Sequence, residues 1–75
     1  MLQVEVAYAP PEDQVILPID VPAGTTVEQA IRQSGILERF PEIDLASQKV
    51  GVFSRIVGLD ETLREHDRVE IYRPL

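Results

Sequence analysis

The stretch Val15–Gly35, VILPIDVPAGTTVEQAIRQSG, changes its hydrophobic period partway along, and that change decides the fold. Val15, Leu17, Ile19 and Val21 alternate with Ile16, Pro18 and Asp20, the period-2 pattern of a strand with one buried face. Pro18 has no N–H to give to a ladder, so this strand belongs at a sheet edge. Pro22-Ala23-Gly24 ends it. Thr26 followed three residues later by Gln29 is a capping-box signature, and Val27, Ala30, Ile31 and Ser34 then fall at helical spacing. Gly35 stands where a helix C-cap is wanted, so the spacing predicts a helix over Val27 to Ser34.

Upstream, Leu2, Val4, Val6 and Tyr8 alternate with Gln3, Glu5 and Ala7, and the segment 9–14 collects prolines and acids that favour a turn. The two strands read as a hairpin, with Tyr8 expected as a packing residue at the core's rim. Downstream, Ile36, Leu37 and Phe40 make a short second apolar turn that Pro41 stops, leaving Glu38 and Arg39 to water. Lys49 to Phe53 is rich in strand formers, Ile56-Val57 is a minimal strand or an extended bend, Leu59 and Leu63 read as buried, and Arg68 to Tyr72 alternates again. No repeat or linker interrupts residues 1–75, which therefore read as one domain.

Strand, strand, helix, strand, short strand, strand is the order of an α+β, ubiquitin-like β-grasp. The expected sheet is mixed, of four to five strands in the order 2-1-5-3-4, with one main helix covering one face. Val4, Val6, Leu17, Ile19, Ile31, Val50, Val52, Val69 and Ile71 are the expected core.

Composition excludes much chemistry. There is no cysteine, so no disulfide, zinc–thiolate site, iron–sulfur cluster or thiol nucleophile comes from this chain. Thirteen acids against seven bases give a net charge of −6, which repels phosphate backbones and anionic lipid heads. Nucleic acid and membrane surfaces are therefore poor partners. Residues 1–31 hold Glu5, Glu12, Asp13, Asp20 and Glu28 but no Lys or Arg. No apolar run approaches the ~20 residues that span a bilayer, and the first eight residues do not read as a signal peptide, so a cytoplasmic protein is expected.

Nothing here reads as an enzyme. His66, the single histidine, is flanked by Glu65 and Asp67 in an expected turn and reads as solvated. The acid pairs Glu12-Asp13, Glu42-Asp44 and Asp60-Glu61 have no metal-loop spacing and read as turn and cap residues. No glycine-rich phosphate loop exists, and no cofactor is expected.

A protein partner is the expectation that remains. By alternation Phe53 and Tyr72 project from the sheet face that no helix covers; Arg68 shares that face, and Arg55 and Arg73 lie at strand ends nearby. Tyr and Arg are enriched where binding energy concentrates. Cross-strand packing accounts for the aromatics equally well. The acidic hairpin surface of Glu12, Asp13 and Asp20 is the competing contact area.

Five stretches together resemble the RnfH family of small bacterial ubiquitin-like proteins: Val4–Tyr8, Val21–Val27, Leu37–Leu45, Lys49–Phe53 and Asp67–Leu75. The segments Arg39-Phe40-Pro41-Glu42-Ile43-Asp44-Leu45 and Asp67-Arg68-Val69-Glu70-Ile71-Tyr72-Arg73-Pro74-Leu75 are the most specific. The resemblance implies a fold and a setting, because no biochemical activity defines the family. Some members are found beside genes for the Rnf membrane electron-transport complex, and one is paired with a lipid-binding-fold protein in a toxin–antitoxin arrangement. The implied partners are accordingly Rnf subunits, with the protein held at the inner membrane through them, or a lipid-binding-fold protein. His66 stands where the family usually has glycine before Asp-Arg-Val, a place that asks for a positive φ angle, which histidine tolerates. Relatives often continue past the Pro-Leu with a basic tail.

The last third also resembles ubiquitin-like sulfur carriers. Those end in Gly-Gly because the terminal carboxylate must thread a narrow channel. Glycines 24, 35, 51 and 58 are all isolated, and Pro74 stiffens the segment in question, so the carrier reading is disfavoured within these 75 residues.

Overall fold

The structure is a computed structural model and describes residues 1–8 and 14–73. Its elements in chain order are β1 (Leu2–Tyr8), β2 (Val15–Val21), α1 (Val27–Ser34), α2 (Ile36–Arg39), β3 (Val50–Val52), β4 (Arg55–Val57) and β5 (Arg68–Ile71). The turn expected at Ala9–Asp13 lies outside the described residues, as do Pro74 and Leu75.

The sheet runs β2-β1-β5-β3-β4, the order expected of a β-grasp. β1 pairs antiparallel with β2 from Leu2↔Val21 to Tyr8↔Val15, and parallel with β5 from Glu5↔Arg68 to Tyr8↔Ile71. β3 is antiparallel to both β5 and β4. Pro18 sits opposite Glu5 on the edge strand, where its missing N–H costs the ladder least.

Helix α1 starts where its capping box puts it. Thr26 Oγ1 accepts from Gln29 N at 3.3 Å, and Gln29 Oε1 accepts from Thr26 N at 3.0 Å. Four orphan amides at a helix N-terminus need partners. Here Val27 N donates to Glu61 O at 2.9 Å and Glu28 N to Leu59 O at 3.0 Å, Thr26 N and Gln29 N are met by the capping box, and Ala30 N to Thr26 O at 3.0 Å is the first bond of the helix itself. The segment 59–63 is thereby bound to the helix start, and Leu63 is pulled into the core. Gly35 at φ 82° ends the helix in the left-handed region that glycine enters freely.

The core lies between α1 and the inner sheet face: Val4, Val6, Val50, Val52, Val69 and Ile71 from the strands, Val27, Ala30 and Ile31 from α1, and Ile36 from α2. Two expectations need correction. Leu17 and Ile19 are half-buried, because an edge strand has a neighbour on one side only. Tyr8 is fully in the core, not at its rim: its ring meets Phe40 at 5.0 Å between centroids with a 59° tilt, and α2 closes over it.

Among the described residues, three that are not glycine take positive φ: Phe53 (50°), Ser54 (68°) and His66 (67°). His66 thus adopts the angle that its position asks for. It donates its N–H to Gln3 O at 2.7 Å, while Arg64 N donates to Asp67 Oδ2 at 2.8 Å, so this turn aims β5 alongside β1. Phe53 and Ser54 are the two central residues of the β3–β4 hairpin, and positive φ at both is the signature of a type I′ turn. That turn favours Asn-Gly; a side chain held there costs about 1–3 kcal/mol per residue.

Candidate functional site

The helix covers one side of the sheet and leaves the other open. One row of the open face follows from the strand register: Ile16, Ala7, Glu70, Gly51 and Ile56 stand side by side across all five strands. The next row begins Pro18, Glu5, Arg68. The rim is apolar and the centre polar, with Ile16 38% exposed at one edge and Ile56 60% exposed at the other.

Every polar group of the centre has a partner. Arg68 Nε donates to Glu5 Oε1 at 3.0 Å. Glu70 Oε1 accepts from Tyr72 Oη at 2.8 Å and from Ser54 N at 2.7 Å. The Tyr72 phenol lies over Gly51, where a Cβ would come within 2.5 Å of its oxygen and 2.8 Å of Arg55 O. Burial first, and then the hydrogen bond to Glu70, push the Tyr72 pKa up. On the inner side the Tyr8 pKa is also raised, by burial first and then by the Glu42 carboxylate, against a smaller lowering by Arg73.

Phe53 is the most exposed aromatic, with 59% of its surface in water. Its N–H donates to Arg68 O at 3.3 Å, so the hairpin tip is anchored to the start of β5. Phe53 does not extend β3 as the alternation predicts. It occupies the turn, and its side chain borders a groove with Val52, Arg55, Arg64 and Thr62, in which the acids Glu61 and Asp67 stand beside the two arginines. Arg55 reaches Glu61 only at 3.9 Å, and its side chain is 73% exposed.

The five residues singled out from the sequence therefore do not form one cluster. Phe53, Arg55 and Arg68 gather at the hairpin end. Tyr72 lies just past the end of β5, half-buried, and Arg73 follows it, exposed, at the opposite end of that strand from Arg68. Of the competing acids, Asp20 is exposed on β2, whereas Glu12 and Asp13 lie outside the described residues. Sequence reading missed Ile16, Ile56 and Arg64. The outward parity of Ile16 was available from the pattern; Arg64 reaches the groove only through the turn before β5.

A five-stranded mixed sheet in this order, with one helix on one face, is the ubiquitin-like β-grasp fold. The chain belongs to the RnfH family: the family model "RnfH family Ubiquitin" matches residues 2–75. It is 60% identical over 75 residues to UPF0125 protein VV0820 of Vibrio vulnificus, covering 100% of this chain and 64% of that relative's length. Among solved structures it resembles a putative molybdopterin converting factor, subunit 1, from Pyrococcus furiosus, with a TM-score of 0.72, 25% identity and full coverage of both chains. It also resembles protein HI0395 of Haemophilus influenzae, crystallised as a 3D domain-swapped dimer. That likeness has a TM-score of 0.65 and 53% identity, and covers 99% of this chain and 92% of that one.

Proposed function

We propose that this chain is a non-catalytic interaction module that binds a protein partner with the hairpin end of its open sheet face. The observation behind this reading is Phe53, displayed to water from a backbone conformation that a bulky residue avoids. Strain of this kind concentrates at functional positions. The Arg55 and Arg64 side chains beside an exposed aromatic make the composition of a binding hot spot. The family's name supports a subunit of the Rnf electron-transport complex as the partner, met at the cytoplasmic side of the inner membrane. A lipid-binding-fold protein is the other address. Binding of purified candidate partners, measured by calorimetry, tests the surface. Phe53→Ala should weaken the complex by about 1–3 kcal/mol while moving folding stability by less than about 0.5 kcal/mol. A complex untouched by Phe53→Ala and Arg55→Glu would place the contact elsewhere.

A second reading, exchange of segments with another copy of the same chain, is supported by the domain-swapped dimer of HI0395. The carrier reading draws on the likeness to the molybdopterin converting factor subunit, against which stand four isolated glycines. Incubation with ATP and a sulfur-carrier activating enzyme should leave the intact mass unchanged. A thiocarboxylate adduct would revive that reading.

A further inference from the structure

We infer that the Phe53-Ser54 turn is the hinge about which two copies of this chain exchange their C-terminal segments. This rests on the exchange reading above and shares Phe53 with the hairpin-end surface, but its test reads the dimer fraction and not the binding of another protein. The β3–β4 hairpin has the register Val50↔Val57, Gly51↔Ile56 and Val52↔Arg55. Each pair of residue numbers has the same sum, so the ladder is symmetric about a point between Phe53 and Ser54. If the turn straightens, residues 50–57 become one strand. Two such strands from two copies lie antiparallel in the same register, with every pair of the hairpin re-made between copies and Phe53 of one opposite Ser54 of the other. Residues 55–73 of each copy then dock on residues 1–52 of its neighbour, and β5 still enters between β1 and β3. The strand pairings of the closed form are kept, and the exchange changes the turn and the Ser54 N–H bond to Glu70 that the turn holds.

That change is favourable here for a reason specific to these two residues. The tight turn requires positive φ at both positions, and neither is glycine. An extended strand has negative φ, which Phe and Ser adopt without cost, and phenylalanine is among the better strand formers. Strained short hinge loops are the ones that invite exchange. Among the described residues the other turns with positive φ do not share the defect: Gly24 and Gly35 carry it in theirs, and His66 is a single residue of a type that tolerates it.

Two variants move the turn in opposite directions. Phe53→Asn with Ser54→Gly installs the pair that a type I′ turn prefers. Ser54→Pro fixes φ near −65°, which the closed turn cannot accept, and removes the N–H that Glu70 holds. Wild type and both variants are unfolded in denaturant and refolded over a range of protein concentrations, and the dimer fraction is read by size-exclusion chromatography with light scattering. The expected result is a wild-type dimer whose dissociation constant rises about tenfold or more in the Asn-Gly variant, with the proline variant shifted towards dimer. A wild-type dimer that the Asn-Gly variant leaves unchanged overturns the hinge while sparing the exchange. Absence of any dimer in wild type and in the proline variant overturns both.

Discussion

At the scale of single residues, two tyrosines carry the titration behaviour that the fold imposes. Tyr8 is held neutral by burial and by the Glu42 carboxylate, and Tyr72 by burial and by its hydrogen bond to Glu70. Both pKa values are raised from the ordinary 10.0. The folded state therefore binds these protons more tightly than the unfolded chain does. Their contribution is fully present below pH 10.0 and is lost as pH rises from there through the folded-state values. Stability measured by denaturant titration should fall as pH rises above 10.0, and Tyr8→Phe should reduce the slope. A slope unchanged in both Tyr8→Phe and Tyr72→Phe would contradict the assignment. His66 makes the opposite kind of forecast. Its φ of 67° is one that glycine takes freely, so His66→Gly should stabilise the protein by about 0.5–1 kcal/mol, strain relief outweighing the added chain entropy of glycine. A thermal or denaturant midpoint that falls instead would show that the side chain contributes more than its angle costs.

At the scale of elements, α1 depends on a cap that is also a tertiary clasp. Thr26→Ala removes the acceptor for Gln29 N and should cost about 1 kcal/mol, read from the shift in denaturant midpoint at constant slope. Gly51→Ala tests the open face in the same way, because the added methyl meets the Tyr72 phenol and the Arg55 carbonyl. A loss of about 1–3 kcal/mol is expected, and the Tyr72 pKa should move as its hydrogen bond to Glu70 is disturbed. These elements also mark what the sequence makes legible. The helix limits, its cap and Gly35 and the edge position of β2 follow from local signals, since period, capping box and proline act over a few residues, whereas the central β1–β5 pair follows only from the order of the elements as a β-grasp. Phe53 could not be placed that way. Alternation continues β3 through it, but the three-residue β4 needs a two-residue turn in register, and that constraint comes from the partner strand. Tyr8 was underestimated for a related reason: α2, whose end supplies Phe40, is remote in sequence.

At the scale of the whole molecule, charge is divided across the sheet. The first 31 residues, which form β1, β2 and the start of α1, carry five acids and no base, and every Arg and Lys comes later in the chain. Arg55 and Arg64 stand at the β4 side, and Asp20 is on the β2 edge at the other. A partner approaching this molecule therefore meets an acidic β2 side or a hairpin end of mixed charge, where Arg55 and Arg64 stand with Glu61 and Asp67, and the two make different kinetic forecasts. Contact through the hairpin end rests on burying Phe53 with its flanking arginines, so Phe53→Ala should act mainly by speeding dissociation. Contact through the acidic edge rests on exposed charge, so reversal at Glu12, Asp13 and Asp20 should mainly slow association, and rising salt should weaken the complex as the charges are screened. Association and dissociation rates of the two mutant sets, measured by surface plasmon resonance at low and high salt, separate the cases. The expected outcome is a dissociation rate raised about tenfold or more by Phe53→Ala, with association altered less than about threefold by the acidic reversals. Slowed association in the acidic set, with dissociation from the Phe53 variant unchanged, would move the contact to the β2 edge and leave the exposed phenylalanine to its role in the turn.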